Sequence, residues 1–294
     1  MVPRQIYVFV FTVLMLNLVP VSCFSLSRLF LRPPSNSLSL LMMSTGSASA
    51  PYTLYVSETC PYAQRSLIAA NLVKEKTGTE FDVKMVKLGE DNKQPWFLAL
   101  NPLGKVPVLK DERSGVSIYE SLVVNEFIAD ACDSDRTAGL TSASPMERAN
   151  MRIRITRVDT LARAFFTFLS ASPDLPEIES NALLEKIFEE LVVFEHHLKE
   201  SGGKFMGGSC PDLCDCALFP FIERMNAVLP GLRAVDFPGR LKAEFPFFSK
   251  WMDSMRELPA VKSTCLSPEV FVELYKKFLS IDYFKKVGMA DKKG

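Results

Sequence analysis

The stretch TCPYAQR, residues 59–65, lies between a β-rich run, YTLYV at 52–56, and a helix-forming run at 66–74. With Cys60 at the helix N-cap and Pro61 at the first helical position, the sulfur would face unpaired N–H groups and the positive end of the helix dipole. Helix N-termini can lower a thiol pKa from about 8.5 by one to several units. The stretch therefore predicts a nucleophilic thiolate. The alternative that these residues leave open is a small apolar side chain at a turn.

The motif contains one cysteine where many redox proteins have two. Ala63 stands where a Cys-x-x-Cys oxidoreductase carries its second thiol. Cys60 cannot close a local disulfide, so a soluble thiol must complete any redox cycle that Cys60 begins.

The overall composition is that of an ordinary globular protein. Of 294 residues, 48% are hydrophobic and 23% are charged, and the formal net charge is zero. The basic residues are scattered, so we expect no nucleic-acid partner. The seven cysteines are odd in number and irregularly spaced. This pattern argues against a disulfide framework and favours free thiols.

Neither the histidines nor the clustered cysteines predict a metal site. His196 and His197 are adjacent and cannot share a helix face. Cys210, Cys214 and Cys216 lack a second pair, whereas a zinc site needs about four ligands at suitable spacing. We expect no metal centre and interpret these cysteines as buried thiols around a helix start.

Residues 1–50 have the composition of a targeting presequence. They contain three arginines and no acidic residue. The apolar run at 6–21 is short for a membrane span, which needs about 20 residues, and suits a signal peptide, while the Ser-rich segment at 24–50 suits a transit peptide. We expect this region to lie outside the fold and to direct the chain to an organelle, a plastid reached through a bipartite presequence. The alternatives are the secretory pathway, a membrane anchor, or a cytoplasmic protein that starts at Met42 or Met43.

Hydrophobic periodicity divides the rest of the chain into two halves. Short β-rich runs alternate with helical ones over residues 51–133, which predicts a small α/β domain. Residues 134–144 are small and polar, as in a linker, and residues 145–294 contain helical patterns only. A capping box formed by Ser144 and Glu147 is expected to open the first helix of the second half.

The predicted strands cover 53–56, 81–86, 106–109 and 116–118. The predicted helices begin at Pro61, Pro95 and Glu120 in the first half and cover 144–170, 178–200, 213–229, 246–258 and 268–283 in the second.

Two further stretches indicate a ligand site in the first half. Pro107 lies inside a β-rich run, where it cannot donate to the sheet, and a cis Val106–Pro107 bond would turn the Val106 backbone toward a ligand. Glu120 and Ser121 lie at a helix start, where a carboxylate and free N–H groups suit a zwitterionic amino-acid end.

TCPYAQR, NPLGKVPVL at 101–109 and YESLVV at 119–124 resemble, in this order and spacing, the cytosolic glutathione transferases. The likeness is to the cysteine-type omega class, with lambda-class enzymes and dehydroascorbate reductases as near relatives. It implies a thioredoxin-like α/β domain followed by an all-helical domain, glutathione as cosubstrate and a homodimer.

The resemblance also implies the roles of individual residues in the first half. Cys60 would be the catalytic thiol that forms a mixed disulfide with glutathione. Lys93 would reach the glycyl carboxylate of glutathione. Val106, followed by a cis Pro107, would bind the backbone of the cysteinyl residue. Glu120 and Ser121 would hold the γ-glutamyl end.

In the second half, the resemblance implies a substrate pocket and a buried cap. Arg224 would lie near the pocket and Trp251 would line it, the alternatives being an ion pair for the arginine and a core position for the tryptophan. Asp212 and Asp215 would form the N-cap and its N3 partner in the helix beneath the active site.

Two functions from different classes follow. The leading prediction is a glutathione-dependent thiol transferase or dehydroascorbate reductase that acts on a small disulfide or oxidised acceptor. The alternative is a non-catalytic binding module of the translation-factor or chloride-channel type. We expect no membrane span in the mature chain.

Overall fold

The computed structural model describes residues 50–279. The predicted presequence, apart from Ala50, and the end of the last predicted helix lie outside the described residues.

The first half is built on a four-stranded mixed sheet. Its strands are β1 (Tyr52–Val56), β2 (Phe81–Met85), β3 (Val108–Asp111) and β4 (Ser117–Tyr119), in the order β2-β1-β3-β4. Strand β1 pairs parallel with β2 and antiparallel with β3, and β3 pairs antiparallel with β4. All five residues of β1 are buried, so the chain enters the TCPYAQR stretch from the centre of the sheet.

Three helices flank this sheet: α1 (Pro61–Thr77), α2 (Pro95–Leu98) and α3 (Ser121–Cys132). Helix α1 ends at Gly78, whose φ of 75° is the left-handed conformation that glycine adopts without steric cost. Helices α1 and α3 pack against each other, which places their N-termini on the same side of the domain.

The second half is helical. Its helices are α4 (Pro145–Leu169), α5 (Glu177–Ser201), α6 (Leu213–Arg233), α7 (Phe237–Glu244), α8 (Pro246–Glu257), α9 (Pro259–Lys262) and α10 (Pro268–Leu279). The predicted fold class, an α/β half followed by an all-helical half, is confirmed. None of the helices between residues 50 and 279 is both long and apolar enough to cross a membrane.

Element boundaries differ from the predictions where proline or short length matters. Strand β3 begins after Pro107, which has no N–H to donate. Helix α6 continues past Leu229 although it contains Pro220 and Pro230, because most of its length is held in the core. The short helices α7 and α9 were not predicted, since neither is long enough to show a clear period.

The capping signal at Ser144 is only partly confirmed. Ser144 Oγ accepts the Glu147 N–H at 3.3 Å, as an N-cap does. The Glu147 carboxylate accepts instead from the hydroxyl of Ser142, so the reciprocal half of the box is replaced by a contact with the preceding loop.

Candidate active site

Cys60 occupies the predicted N-cap of α1, with Pro61 in the first turn. Its backbone is extended (φ −88°, ψ 118°), and among the described residues no side chain caps the helix. The thiol is half-buried and its Sγ lies 4.0 Å from the carbonyl oxygen of Val106. The sulfur thus lies at the start of α1, where the Ala63 and Tyr62 N–H groups face it.

The electrostatic environment of Cys60 differs from the prediction. Burial raises the pKa of the thiol, and the lowering effects of the Ala63 and Tyr62 N–H groups and of the Arg224 and Arg65 guanidiniums do not compensate. The prediction of a lowered pKa is therefore wrong in sign, although its cause, the helix N-terminus, is present. A raised pKa disfavours the thiolate, which is the form in which Cys60 would act as a nucleophile.

The predicted cis peptide bond is present between Val106 and Pro107. The loop before it is braced by Asn101, which donates from Nδ2 to the Lys105 carbonyl at 2.8 Å and accepts the Leu103 N–H at 3.0 Å. These bonds fix the turn that presents the Val106 backbone beside Cys60.

Lys93 lies in a single 3₁₀ turn, Asp91–Lys93, and its side chain is exposed. Its neighbour Asn92 donates to the Gly104 carbonyl at 2.7 Å, which ties this turn to the loop that leads to Val106. A Cβ at Gly104 would lie 2.8 Å from the Asn92 carbonyl oxygen, and Gly104 has a φ of 61°, so glycine is required for this close approach. The structure gives Lys93 no contact with Cys60.

Glu120 and Ser121 form the start of α3. Glu120 has φ 71° and ψ 115°, a conformation that is strained for a residue with a side chain and that tends to occur at functional sites. No side chain of the described residues caps the helix, and Ser121 is buried. The N–H groups of the first turn are therefore the donors that an anionic ligand group would meet.

Arg224 is fully buried and does not line an open pocket. It donates to the Thr59 carbonyl at 3.1 Å, to Gln64 Oε1 at 2.6 Å and to the Pro220 carbonyl at 2.8 Å. Arg224 therefore lies beneath the Cys60 turn, where its donors satisfy backbone and side-chain oxygens, and its predicted place near a substrate pocket stays a prediction.

Trp251 also belongs to the core rather than to a pocket wall. It is 1% exposed, packs on Phe248 at 4.7 Å between ring centroids, and donates from Nε1 to Asp215 Oδ1 at 2.6 Å. Asp215 and Asp212 form the predicted reciprocal capping box at the start of α6. Trp251 is thus held in the core both by its ring packing and by its bond to this buried cap.

Of the three clustered cysteines, Cys214 and Cys216 are buried as predicted, but Cys210 is exposed. Cys210 lines a cavity of about 620 Å³ with Arg136 and Arg154, away from the predicted site residues. Within residues 50–279, no cluster of His, Cys, Asp and Glu side chains is arranged to hold a metal ion.

Four residues near the site were not singled out from the sequence. Gln64 and Arg65 are buried polar side chains near the start of α1, and nothing in the sequence distinguishes them from the exposed polar side chains at the other end of this helix. Phe271 and Tyr275 come from α10. The Phe271 ring centroid lies 4.7 Å from Arg224 Cζ, and burial raises the pKa of the Tyr275 hydroxyl, on which Arg224 and Cys60 also act.

Two models of one protein family match the chain. The glutathione S-transferase N-terminal domain matches residues 59–131, and the glutathione S-transferase C-terminal domain matches residues 158–254. Together they cover more than half of the chain, and the first includes Cys60, Val106, Glu120 and Ser121.

Relatives and solved structures point the same way. Glutathione S-transferase omega-1 of Sus scrofa is 28% identical over 79% of this chain and 92% of its own length. Glutathione S-transferase L3 of Arabidopsis thaliana is 29% identical over 76% of this chain and 86% of its own length. The crystal structure of glutathione transferase Omega 3C from Trametes versicolor shares the fold, with a TM-score of 0.65 and 24% identity over 79% of this chain and 91% of that one.

The two family models cover both halves in the order that the fold requires, and the relatives are matched over most of their length. The chain therefore belongs to the glutathione S-transferase family, whose cosubstrate is glutathione, and within that family it is similar to the omega class.

Proposed function

We propose that this glutathione S-transferase is a glutathione-dependent thiol transferase with dehydroascorbate reductase activity, in which Cys60 forms a mixed disulfide with glutathione. The observation that carries the proposal is the half-buried Cys60 thiol at the uncapped start of α1, 4.0 Å from the Val106 carbonyl. A hydroxyl in this place would serve conjugation by stabilising the glutathione thiolate, whereas a thiol can itself exchange disulfide bonds.

The reaction balances with glutathione as the reductant. The Cys60 thiolate attacks the glutathionyl sulfur of a mixed disulfide, which releases the acceptor thiol and leaves a disulfide between Cys60 and glutathione. A second glutathione thiolate then attacks this bond, which releases glutathione disulfide and restores Cys60. With dehydroascorbate, two glutathione molecules supply the two electrons.

The proposed binding site extends from Cys60 along both uncapped helix starts. Val106 would pair with the cysteinyl backbone through its main chain, and the first turn of α3 would receive the γ-glutamyl carboxylate, with the Glu120 carboxylate for the amino group. Lys93 would have to extend over the braced loop to reach the glycyl carboxylate. This arrangement uses main-chain groups where the backbone is fixed by Asn101 and by the α3 start.

The raised pKa of Cys60 affects this reaction, because the attacking group is the thiolate. Because burial raises the pKa of the thiol, the thiolate of Cys60 is disfavoured at neutral pH. We propose that turnover rises with pH across the neutral range, in step with thiolate formation.

A non-catalytic binding module is the second candidate, and the same raised pKa favours it. In such a protein, Cys60 would be a small buried side chain with no catalytic role, and the site would no longer bind glutathione. The two candidates differ in whether Cys60 is consumed and regenerated.

The test compares wild type with Cys60→Ala and Cys60→Ser. We expect wild type to reduce hydroxyethyl disulfide and dehydroascorbate, to acquire a glutathione adduct on Cys60 when treated with glutathione disulfide, and to conjugate chloronitrobenzenes weakly. Both variants should lose reduction. The proposal would be contradicted if conjugation exceeded reduction, or if Cys60→Ala still reduced these substrates. If wild type bound no glutathione, the binding module would be favoured.

Organellar targeting by residues 1–50 and assembly as a homodimer stay predictions. Sequencing of the native N-terminus tests the first, and sedimentation of the mature chain tests the second.

A further inference from the structure

The guanidinium of Arg65 is buried between the two halves of the protein, although arginine is rarely buried without full pairing. Its side chain is 1% exposed and lies against two aromatic rings, with Cζ 5.0 Å from the Tyr62 centroid and 4.7 Å from the Phe221 centroid. Removing a charge from water costs several kcal/mol unless hydrogen bonds compensate. The hydrogen-bond partners of this guanidinium therefore indicate the role of the buried charge.

Each nitrogen of Arg65 has a different partner. Nε donates to the Ala217 carbonyl on α6 at 3.0 Å, and Nη2 donates to Asp159 Oδ1 on α4 at 3.1 Å. Nη1 lies 3.4 Å from Ser121 Oγ, at the long end for such a bond. Asp159 is 57% exposed, so water screens its charge and the guanidinium keeps a positive field in the interior.

The contact with Ser121 sets the direction of its hydroxyl proton. A serine hydroxyl has one proton to donate and two lone pairs to accept with. When Ser121 Oγ accepts from Arg65, its proton must point away from the guanidinium. Within the described part of the chain, this is the one hydrogen bond of Ser121 Oγ, and the oxygen is its acceptor. The hydroxyl proton is thus available to an acceptor at the open start of α3.

Ser121 is further held against α1 by the neighbour of Arg65. Ser66 Oγ donates to Asn125 Oδ1 at 2.7 Å and lies 3.4 Å from the Ser121 carbonyl oxygen. Asn125 Nδ2 is 3.5 Å from the Arg65 carbonyl oxygen. These contacts keep the start of α3 in place relative to α1, which also carries Cys60 at its start.

We propose that Arg65 is a positioning residue for the γ-glutamyl carboxylate of glutathione: it acts through Ser121, by fixing the hydroxyl as a donor and by adding a buried positive charge behind it. The inference rests on the proposed glutathione site at Ser121. It assigns to Arg65 a role in affinity for one group of the ligand, which is distinct from a role in holding the two halves together.

The test measures dissociation constants by calorimetry for two ligands. The first is glutathione, and the second is γ-aminobutyryl-cysteinylglycine, which retains the amino group but lacks the γ-glutamyl α-carboxylate. We expect Arg65→Gln to weaken glutathione binding about tenfold and to leave the analogue within about twofold. Arg65→Lys, which keeps the charge without the planar fork, should fall between wild type and Arg65→Gln for glutathione.

Two controls separate positioning from simple structural damage. Asp159→Asn removes the ion pair but leaves the contact with Ser121, and glutathione binding should stay within about twofold of wild type. Arg65→Gln combined with Ser121→Ala should bind glutathione no more weakly than Ser121→Ala alone, because a residue that acts through another gives non-additive effects. If Arg65→Gln does not fold, Arg65→Lys combined with Ser121→Ala replaces it in the same comparison.

Equal weakening of both ligands, additivity with Ser121→Ala, or an Asp159→Asn effect as large as that of Arg65→Gln would overturn the inference while leaving the proposed function intact. Wild type that binds neither ligand would overturn the proposed function itself and this inference with it.

Discussion

Arg224 Nη2 lies 3.1 Å from the carbonyl oxygen of Thr59, so a buried guanidinium on α6 holds the peptide group that precedes Cys60. The same side chain donates to Gln64, one turn into α1. Cys60 is therefore positioned from both sides by a residue that lies 164 positions later in the sequence.

This relationship predicts that Arg224→Met is destabilising. The change leaves the Thr59 carbonyl and Gln64 Oε1 without a donor in a buried place, and we expect the free energy of unfolding to fall by about 3 kcal/mol. Urea unfolding measures the change. Arg256→Met is the matched control on an exposed position and should alter stability by less than about 0.5 kcal/mol. A stable Arg224→Met would contradict the supporting role.

The pKa of Cys60 predicts its pH dependence. Because the thiol pKa is raised, thiolate forms only as the pH climbs past the ordinary range, and the rate of alkylation by iodoacetamide should still be increasing above about pH 8.5. Site-resolved mass analysis follows Cys60, with exposed Cys210 as the internal reference. A plateau below about pH 8 would mean that the N–H groups and the guanidiniums outweigh burial.

Trp251→Phe distinguishes a core residue from a pocket wall. Loss of the indole donor leaves one bond to buried Asp215 unmade, which should cost about 1–3 kcal/mol of stability. The activity per folded molecule and the KM for the acceptor should be unchanged. Trp96→Phe, at a 48% exposed tryptophan, is the control. A raised KM with unchanged stability would restore Trp251 to the pocket.

The strained backbone of Glu120 predicts that a change which raises stability at this position lowers the affinity for glutathione. Glu120→Gly relieves the strained φ of 71°, so the free energy of unfolding should be unchanged or higher by up to about 1 kcal/mol, while the affinity for glutathione falls. Glu120→Gln keeps the strain and removes the charge. It should lower affinity at constant stability, and a glutathione affinity equal to that of wild type in both variants would show that the side chain is not used.

The features that could be predicted from the sequence are those set by neighbouring residues. The N-cap at Cys60, the cis bond before Pro107 and the capping box of Asp212 and Asp215 each depend on a few adjacent side chains and appear as expected. Proline and short polar residues restrict the backbone in the same way wherever they occur, so these local signals survive folding.

The features that could not be predicted depend on distant parts of the chain. The pKa of Cys60 is raised rather than lowered, because burial of the thiol outweighs the effect of the nearby N–H groups. The extent of that burial cannot be read from the residues TCPYAQR. Trp251 and Arg224 resemble pocket residues by motif, yet each is held in the core by an oxygen far away in sequence: Asp215 for the first, Thr59 for the second.

Gln64 shows what this dependence means for the evolution and engineering of the protein. Its amide bonds Glu223 and Thr264 through Nε2 and Arg224 through Oε1, all from the helical half. A chimera that grafts a foreign helical half onto this α/β half would need to carry those three partners with it. Otherwise the hybrid would inherit the cysteine and lose the surroundings that orient it.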